Sequence, residues 1–179
     1  MIKLKIAESV CTLYVIQIVG YKNSGKTTVV TELVRRLQGD GYNVATLKHH
    51  GHGGEPDYAA NTDTAKHWMA GAAATTVFGE KTLQLQIENQ NITVERILSL
   101  YEELKIDITI MEGFKQLNFG KIVLIRNQDD IHLLKDLTNI KMVYSQDLRI
   151  DETNKPLYRK KENLLDDVQK QFITFGNLH

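Results

Sequence analysis

The sequence predicts an α/β domain in three layers: a mainly parallel sheet between helices, with an antiparallel hairpin at an edge. Three observations carry this. Short runs rich in Val and Ile alternate along the chain with stretches of helical period. The runs are apolar at successive positions, as strands of a parallel sheet are when helices cover both faces. The first junction between them, "GYKNSGKTT" at residues 20–28, turns from an apolar run directly into an amphipathic stretch. At 179 residues the chain is expected to form one domain, 1–179, around one core.

The elements follow in order. "MIKLKIAESVCTLYVIQIV" begins with lysines and turns apolar, loosely like a secretion signal. Glu8 interrupts it and the apolar run is too short to cross a bilayer, so residues 13–19 read as a buried strand. From Thr27 to Gln38, Val29, Val30, Leu33, Val34 and Leu37 recur at steps of three and four, one face of a helix stopped by Gly39 and Gly41. "NVATLK", residues 43–48, completes a strand–helix–strand unit. A polar, glycine-bearing loop with Pro56 comes next, and then a helix through "AKHWMAGA" with Asp63 or Thr64 as its cap. "TTVF" and "LQLQI", on either side of Gly79, Glu80 and Lys81, alternate as a hairpin does. "TVERILSLYEEL" is an amphipathic helix capped by Thr93. "DITIME", residues 107–112, is a strand with an acid at each end, "KIVLIR" and "IKMVYS" are two more with the helix-like "DIHLLKDL" between them, and "KENLLDDVQKQFITF" closes the chain as a helix.

Composition narrows the function classes. Lys and Arg together number 22, as do Asp and Glu, so no global field draws the chain to nucleic acid or to an anionic membrane. The single cysteine, Cys11, excludes an internal disulfide and any cysteine-pair zinc site, which suits a reducing cytoplasm.

Gly20, Gly25, Lys26 and Thr27 satisfy G-x-x-x-x-G-K-[ST], the phosphate-binding loop, with Lys22, Asn23 and Ser24 inside it and Thr28 after it. The chemistry needs each part. Glycines let the backbone curl so that amides point inward, and the next helix offers its positive dipole end to an anion. Lys26 would reach the β and γ phosphates while the Thr27 hydroxyl holds Mg2+. The motif places the α/β sheet among P-loop NTPase folds. Such a loop also calls for an acid near the metal, at the carboxyl end of another strand. Glu112 meets that requirement and Gly113 permits a sharp exit. Asp107 lies at the wrong end of the same strand, roughly 16 Å away at about 3.3 Å per residue.

"LKHHGHGG" brings Lys48, His49, His50 and His52 to the end of the second strand, on the same rim. Two readings stay open: a transition-metal site built from closely spaced imidazoles, or a lysine and histidines that donate to a bound anion. Asp57 and Asp63 can each approach Mg2+ from the loop, although a capping role suits Asp63 as well.

Taken together, "GYKNSGKTT", "TLKHHGHGG", "DTAKHWMAGA" and "MEGFK" resemble, in order and spacing, the molybdopterin-guanine dinucleotide biosynthesis adapter proteins, the MobB family. The resemblance spans about Tyr14 to Arg126. It implies a P-loop α/β fold and a GTP-binding homodimer with weak GTPase activity. Such a protein assists the molybdenum cofactor guanylyltransferase that joins GMP to molybdenum-bound molybdopterin. It also implies phosphate contacts from Gly20 to Thr28, an Mg2+ shell of Thr27 and Glu112, and a rim of Lys48, His49 and Asp63 facing nucleotide or cofactor. The hairpin resembles the part that extends a sheet across the dimer. Two features depart from the pattern: about a dozen residues precede the first strand, and the guanine-reading Asn-Lys-x-Asp is missing, so GTP over ATP rests on the resemblance.

Two other classes share the loop. A small-molecule kinase would add a substrate-side base and an arginine-bearing lid, whereas Arg35 and Arg36 lie in the helix after the loop and Arg126 ends a strand. A nickel-chaperone GTPase would need tight metal binding by residues 49–52. No glutamine or arginine finger stands out, so hydrolysis is expected to be slow.

Overall fold

Every residue of the strand Ile108–Glu112 is buried, and so is every residue of Gly120–Leu124. Strands without a polar face need cover on both sides, and the sequence supplies it as helices. The computed structural model describes residues 2–3, 13–51, 61–88, 90, 92–147, 149–150 and 153–176. The chain divides into two compact units, residues 1–51 with 101–179, and residues 52–100.

The first unit holds a seven-stranded sheet. Its strands are β1 (Ile2–Lys3), β2 (Tyr14–Gly20), β3 (Val44–Lys48), β6 (Ile108–Glu112), β7 (Gly120–Leu124), β8 (Ile140–Tyr144) and β9 (Leu157–Tyr158). They run in the order β3-β6-β2-β7-β8-β9, and β1 pairs antiparallel with the start of β2. All the other pairings are parallel. In the centre, β2 runs beside β6 from Tyr14↔Ile108 to Ile18↔Glu112, and beside β7 from Ile16↔Gly120 to Gly20↔Leu124. The carboxyl ends of β2, β3, β6 and β7 therefore form one rim.

Side chains alternate between two cores, as a period of two demands. Ile18, Ile122 and Met142 pack with Leu33 and Leu37 of α1 (Lys26–Gly39) and with Leu164 and Val168 of α5 (Lys161–Gly176). Their immediate neighbours Val19, Val123 and Val143 face the other way, toward Leu133 of α4 (Leu133–Asp136) and Ile150. Helices on both faces of a parallel sheet make the expected three layers. At the end of α1, Gly39 is the last helical residue and Gly41 takes a left-handed φ of 91°, which glycine adopts without a Cβ penalty.

The second unit contains α2 (Asp63–Met69), β4 (Ala74–Phe78), β5 (Leu83–Ile87) and most of α3 (Val94–Glu103). The antiparallel hairpin forms as expected, in register from Ala74↔Ile87 to Phe78↔Leu83. It is a two-stranded sheet of its own, while the main sheet ends on β3 and β9. Each hairpin strand finds its ladder in the other, and the turn closes through Gly79 N–H donating to Thr82 O at 2.8 Å. Thr93 caps α3 through the Arg96 amide. The cap of α2 differs from expectation: Thr62 Oγ1 accepts from Ala65 N at 3.2 Å, which leaves Asp63 in the first turn. Of "DIHLLKDL", residues 130–137, only the single turn of α4 is α-helical, with a 3-10 turn at Gln128–Asp130 leading into it.

Candidate functional site

The loop between β2 and α1 is shaped by its main chain. Asn23 has φ 61° and Gly25 φ 85°, both left-handed. Asn tolerates that region through its short polar side chain, and Gly enters it freely. A Cβ on Gly20 would lie 2.5 Å from Ser24 Oγ and 2.8 Å from the Leu124 carbonyl, so only glycine fits where β2 meets the loop. The first helical hydrogen bond of α1 runs from Val29 N to Gly25 O at 3.0 Å. The N-cap, Gly25, offers no side chain to the amides ahead of that bond, and no acid lies in the first turn. The positive end of the helix is thus left for an external anion.

Lys26 projects from the same turn. Its ammonium donates to the Tyr21 carbonyl at 2.6 Å. Burial lowers its pKa first of all; Glu112 opposes that, and Lys115, Lys48 and Arg126 add to it. Several cations and one carboxylate therefore gather around Lys26, an electrostatic arrangement suited to a polyanion.

That carboxylate is Glu112, at the carboxyl end of β6 and nearly buried, with Thr27 Oγ1 at 3.2 and 3.3 Å from its two oxygens. Lys48, in register with Glu112 across β3 and β6, brings its ammonium to 3.2 Å from Oε1. The next residue, His49, donates its amide to the Glu112 carbonyl at 2.9 Å and sets its ring 5.0 Å from that of Phe114. Gly113 has φ 91°, and a Cβ there would come to 3.1 Å from His49 Cβ. Buried Gln17 fixes this exit from below, its side-chain amide donating to the carbonyls of Gly113 and Phe114. Carboxylate and hydroxyl oxygens so disposed are the ligands a hard divalent cation takes, and the Lys48 ammonium shows that a positive charge is stable there. Thr27 and Glu112 thus fit Mg2+.

Tyr21 ties the flanking loops to the motif. Lys115 Nζ lies 3.8 Å from the centre of its ring, the Arg126 guanidinium 5.6 Å away, and its hydroxyl is 2.8 Å from His132 Nε2. Arg126 grips the buried Asp130 with two bonds of 2.8 Å and donates to Lys22 O at 3.1 Å. The guanidinium bonds hold the Asp130 carboxyl below its ordinary pKa.

Of the residues expected at a site, Gly20, Lys22, Asn23, Ser24, Gly25, Lys26, Thr27, Thr28, Lys48, His49 and Glu112 all belong to the first unit. Asp63 belongs to the second, where it accepts from Lys66 Nζ at 2.9 Å and helps line a cavity of about 320 Å³ with Thr62, Gln84 and Gln86. Asp107 is engaged at the far end of β6, accepting the Asn43 amide at 2.7 Å. His50 is exposed, while His52 and Asp57 lie outside the described residues. No cluster of three His, Cys, Asp or Glu side chains suited to a metal occurs among the described residues. Tyr21, Lys115 and Arg126 received no role from the sequence. For Lys115, its place three residues after Glu112 was the available signal.

Comparison with known proteins places these features in company. Residues 15–146 match the family described as MobB, Molybdopterin guanine dinucleotide synthesis protein B. A Bacillus subtilis protein named a probable molybdopterin-guanine dinucleotide biosynthesis adapter protein is 36% identical over 131 residues, covering 73% of this chain and 75% of its own. A Methanocaldococcus jannaschii protein with a putative adapter name is 32% identical over 150 residues, 82% of this chain and 61% of its own length. Among solved structures, Bacillus subtilis MobB superposes with a TM-score of 0.74 at 30% identity, covering 88% of this chain and 97% of that one. A MobB homologue from Bacillus stearothermophilus gives 0.69 at 29% identity, with 92% and 99% covered.

Proposed function

The chain belongs to the MobB family, and from that membership we propose that it is an adapter in molybdopterin guanine dinucleotide biosynthesis that binds GTP with Mg2+. In this reading the amides of residues 22–28 and the end of α1 hold the phosphates. Lys26 leaves the Tyr21 carbonyl for the β and γ oxygens, where an ammonium gains a charged acceptor in place of a neutral one. Thr27 and Glu112 hold the metal, which would supply charge neutralisation at the phosphates when bound. Lys48 and His49 face the nucleotide from the neighbouring strand end. The partners are the molybdenum cofactor guanylyltransferase with its molybdopterin and a second copy of this chain, in the cytoplasm. Hydrolysis is slow, an accompaniment to the adapter role. No helix among the described residues is long and apolar enough to cross a membrane.

The single observation that carries this is the loop itself. Two left-handed residues and one glycine with no room for a Cβ lead into a helix whose first turn carries no acid and whose cap offers no side chain. A kinase reading draws less support, because the arginines closest to the motif are committed: Arg35 to Glu32, Arg36 to Asp166 and Arg126 to Asp130.

Calorimetric titration with GTP and ATP in the presence of Mg2+ tests the proposal. GTP is expected to bind more tightly, and Lys26→Ala to weaken it roughly 10- to 100-fold, the worth of a charged hydrogen bond. Undiminished affinity in that variant, or ATP preference with fast phosphorylation of a metabolite, would overturn it. Capture of the guanylyltransferase by the GTP-loaded protein then tests the pathway.

A further inference from the structure

Glu112 offers a seat to a cation, and Lys48 takes it. The Glu112 side chain is 10% exposed, and a carboxylate so enclosed needs a countercharge. Lys26, the nearer candidate by motif, is bound to the Tyr21 carbonyl. The direct ion pair comes from Lys48, whose side chain is 61% exposed and reaches Oε1 at 3.2 Å. The Thr27 hydroxyl approaches the same oxygen at 3.2 Å, so the ammonium stands on the carboxylate that would share a metal with Thr27.

We propose that Lys48 is a placeholder for the metal: it occupies the seat on Glu112 until a triphosphate arrives to accept its ammonium, so that divalent cation and nucleotide bind as one coupled step. This rests on the reading of the loop as a triphosphate site. A divalent ion arriving alone has to expel the ammonium into water, and it meets the repulsion of Lys26, which interacts with Glu112 through charge, as well. With a triphosphate present, the expelled ammonium moves a short way onto phosphate oxygens, and the two exchanges support each other. Linkage makes the effect reciprocal, since metal must strengthen nucleotide binding by the same factor that nucleotide strengthens metal binding. Lys48 suits the task because it hangs on a flexible stem from an edge strand and is held by one ion pair.

Mn2+ titrations followed by electron paramagnetic resonance, on the full chain with and without GTP, decide the matter. Without nucleotide, Lys48→Met is expected to bind Mn2+ about tenfold more tightly than wild type, whereas Lys48→Arg, which keeps a cation, behaves as wild type. With GTP, wild type gains roughly 10- to 100-fold in Mn2+ affinity and Lys48→Met gains several-fold less. Adding Glu112→Gln to Lys48→Met should abolish the new tight Mn2+ site, which locates it. Equal Mn2+ affinity of wild type and Lys48→Met without nucleotide, or persistence of the tight site after Glu112→Gln, overturns the placeholder. Failure of wild type to bind any nucleoside triphosphate overturns the functional reading instead, and the nucleotide-free comparison still decides the role of Lys48.

Discussion

The strand β6 and the hairpin strands β4 and β5 are each five residues long and similarly apolar, yet they meet opposite fates. In β6 every position is buried, Thr109 and Glu112 included. In the hairpin Thr75 alone is buried, while Val77 is 42%, Phe78 81%, Leu83 52% and Leu85 45% exposed. Burial therefore belongs to a strand's neighbours rather than to its composition. Flanked by β2 and β3, β6 can afford a polar end because strand order places it at the rim. The hairpin carries apolar side chains that stay exposed, the kind of surface a partner can cover. This supports the proposed homodimer.

The contrast can be broken, and the largest effect is expected in the first unit. Leu33 on α1 is fully buried, so Leu33→Ala should cost about 2–5 kcal/mol of unfolding free energy in urea titration. A loss below about 1 kcal/mol would mean that the core is far looser than its burial implies. In the hairpin, Phe78→Ser should move monomer stability by no more than about 0.5 kcal/mol. Combined with Leu85→Ser it should shift sedimentation from dimer to monomer, and an unchanged mass would remove the hairpin from the interface. The smallest effect concerns Tyr158, whose hydroxyl donates to Asp167 at 2.6 Å. Burial first, and then that carboxylate, push the phenol up to about 12. The unfolded phenol titrates near 10, so this contribution is full below about pH 10 and is lost as the pH rises toward 12. Tyr158→Phe should flatten the alkaline limb of stability against pH; an identical limb would assign it to other groups.

Much of the first unit was legible because its signals are local. Residues 20–28 state their chemistry in nine letters, and "ITIMEG" has an apolar run, an acid and a glycine in the order a strand end requires. Contacts between distant segments left no comparable trace. Nothing near Tyr21 announces that Lys115 and Arg126 would flank its ring, since those residues follow two different strands. The left-handed Phe114 belongs to a residue type that rarely adopts φ 52°; it is held there by His49 and by Gln17, on other strands or their ends. Two-residue strands such as β9 are too short for any periodicity to show. At α2 the sequence suggested Asp63 or Thr64 as the cap, whereas Thr62, one residue earlier, takes that place by accepting from Ala65 N.

The position of β2 at the centre of the sheet has a temporal consequence. The ribosome delivers residues 20–28 early, but the strands that wall them, β6 and β7, end at Glu112 and Leu124. At about 5–20 residues per second the nascent loop waits roughly 5–20 s for its walls. Until then the loop lacks its neighbouring strands, and the seat on Glu112 cannot form before β6 is made. On the proposed reading a growing chain has no grip on nucleotide, and the ability to hold one waits at least until β6 and β7 stand beside β2.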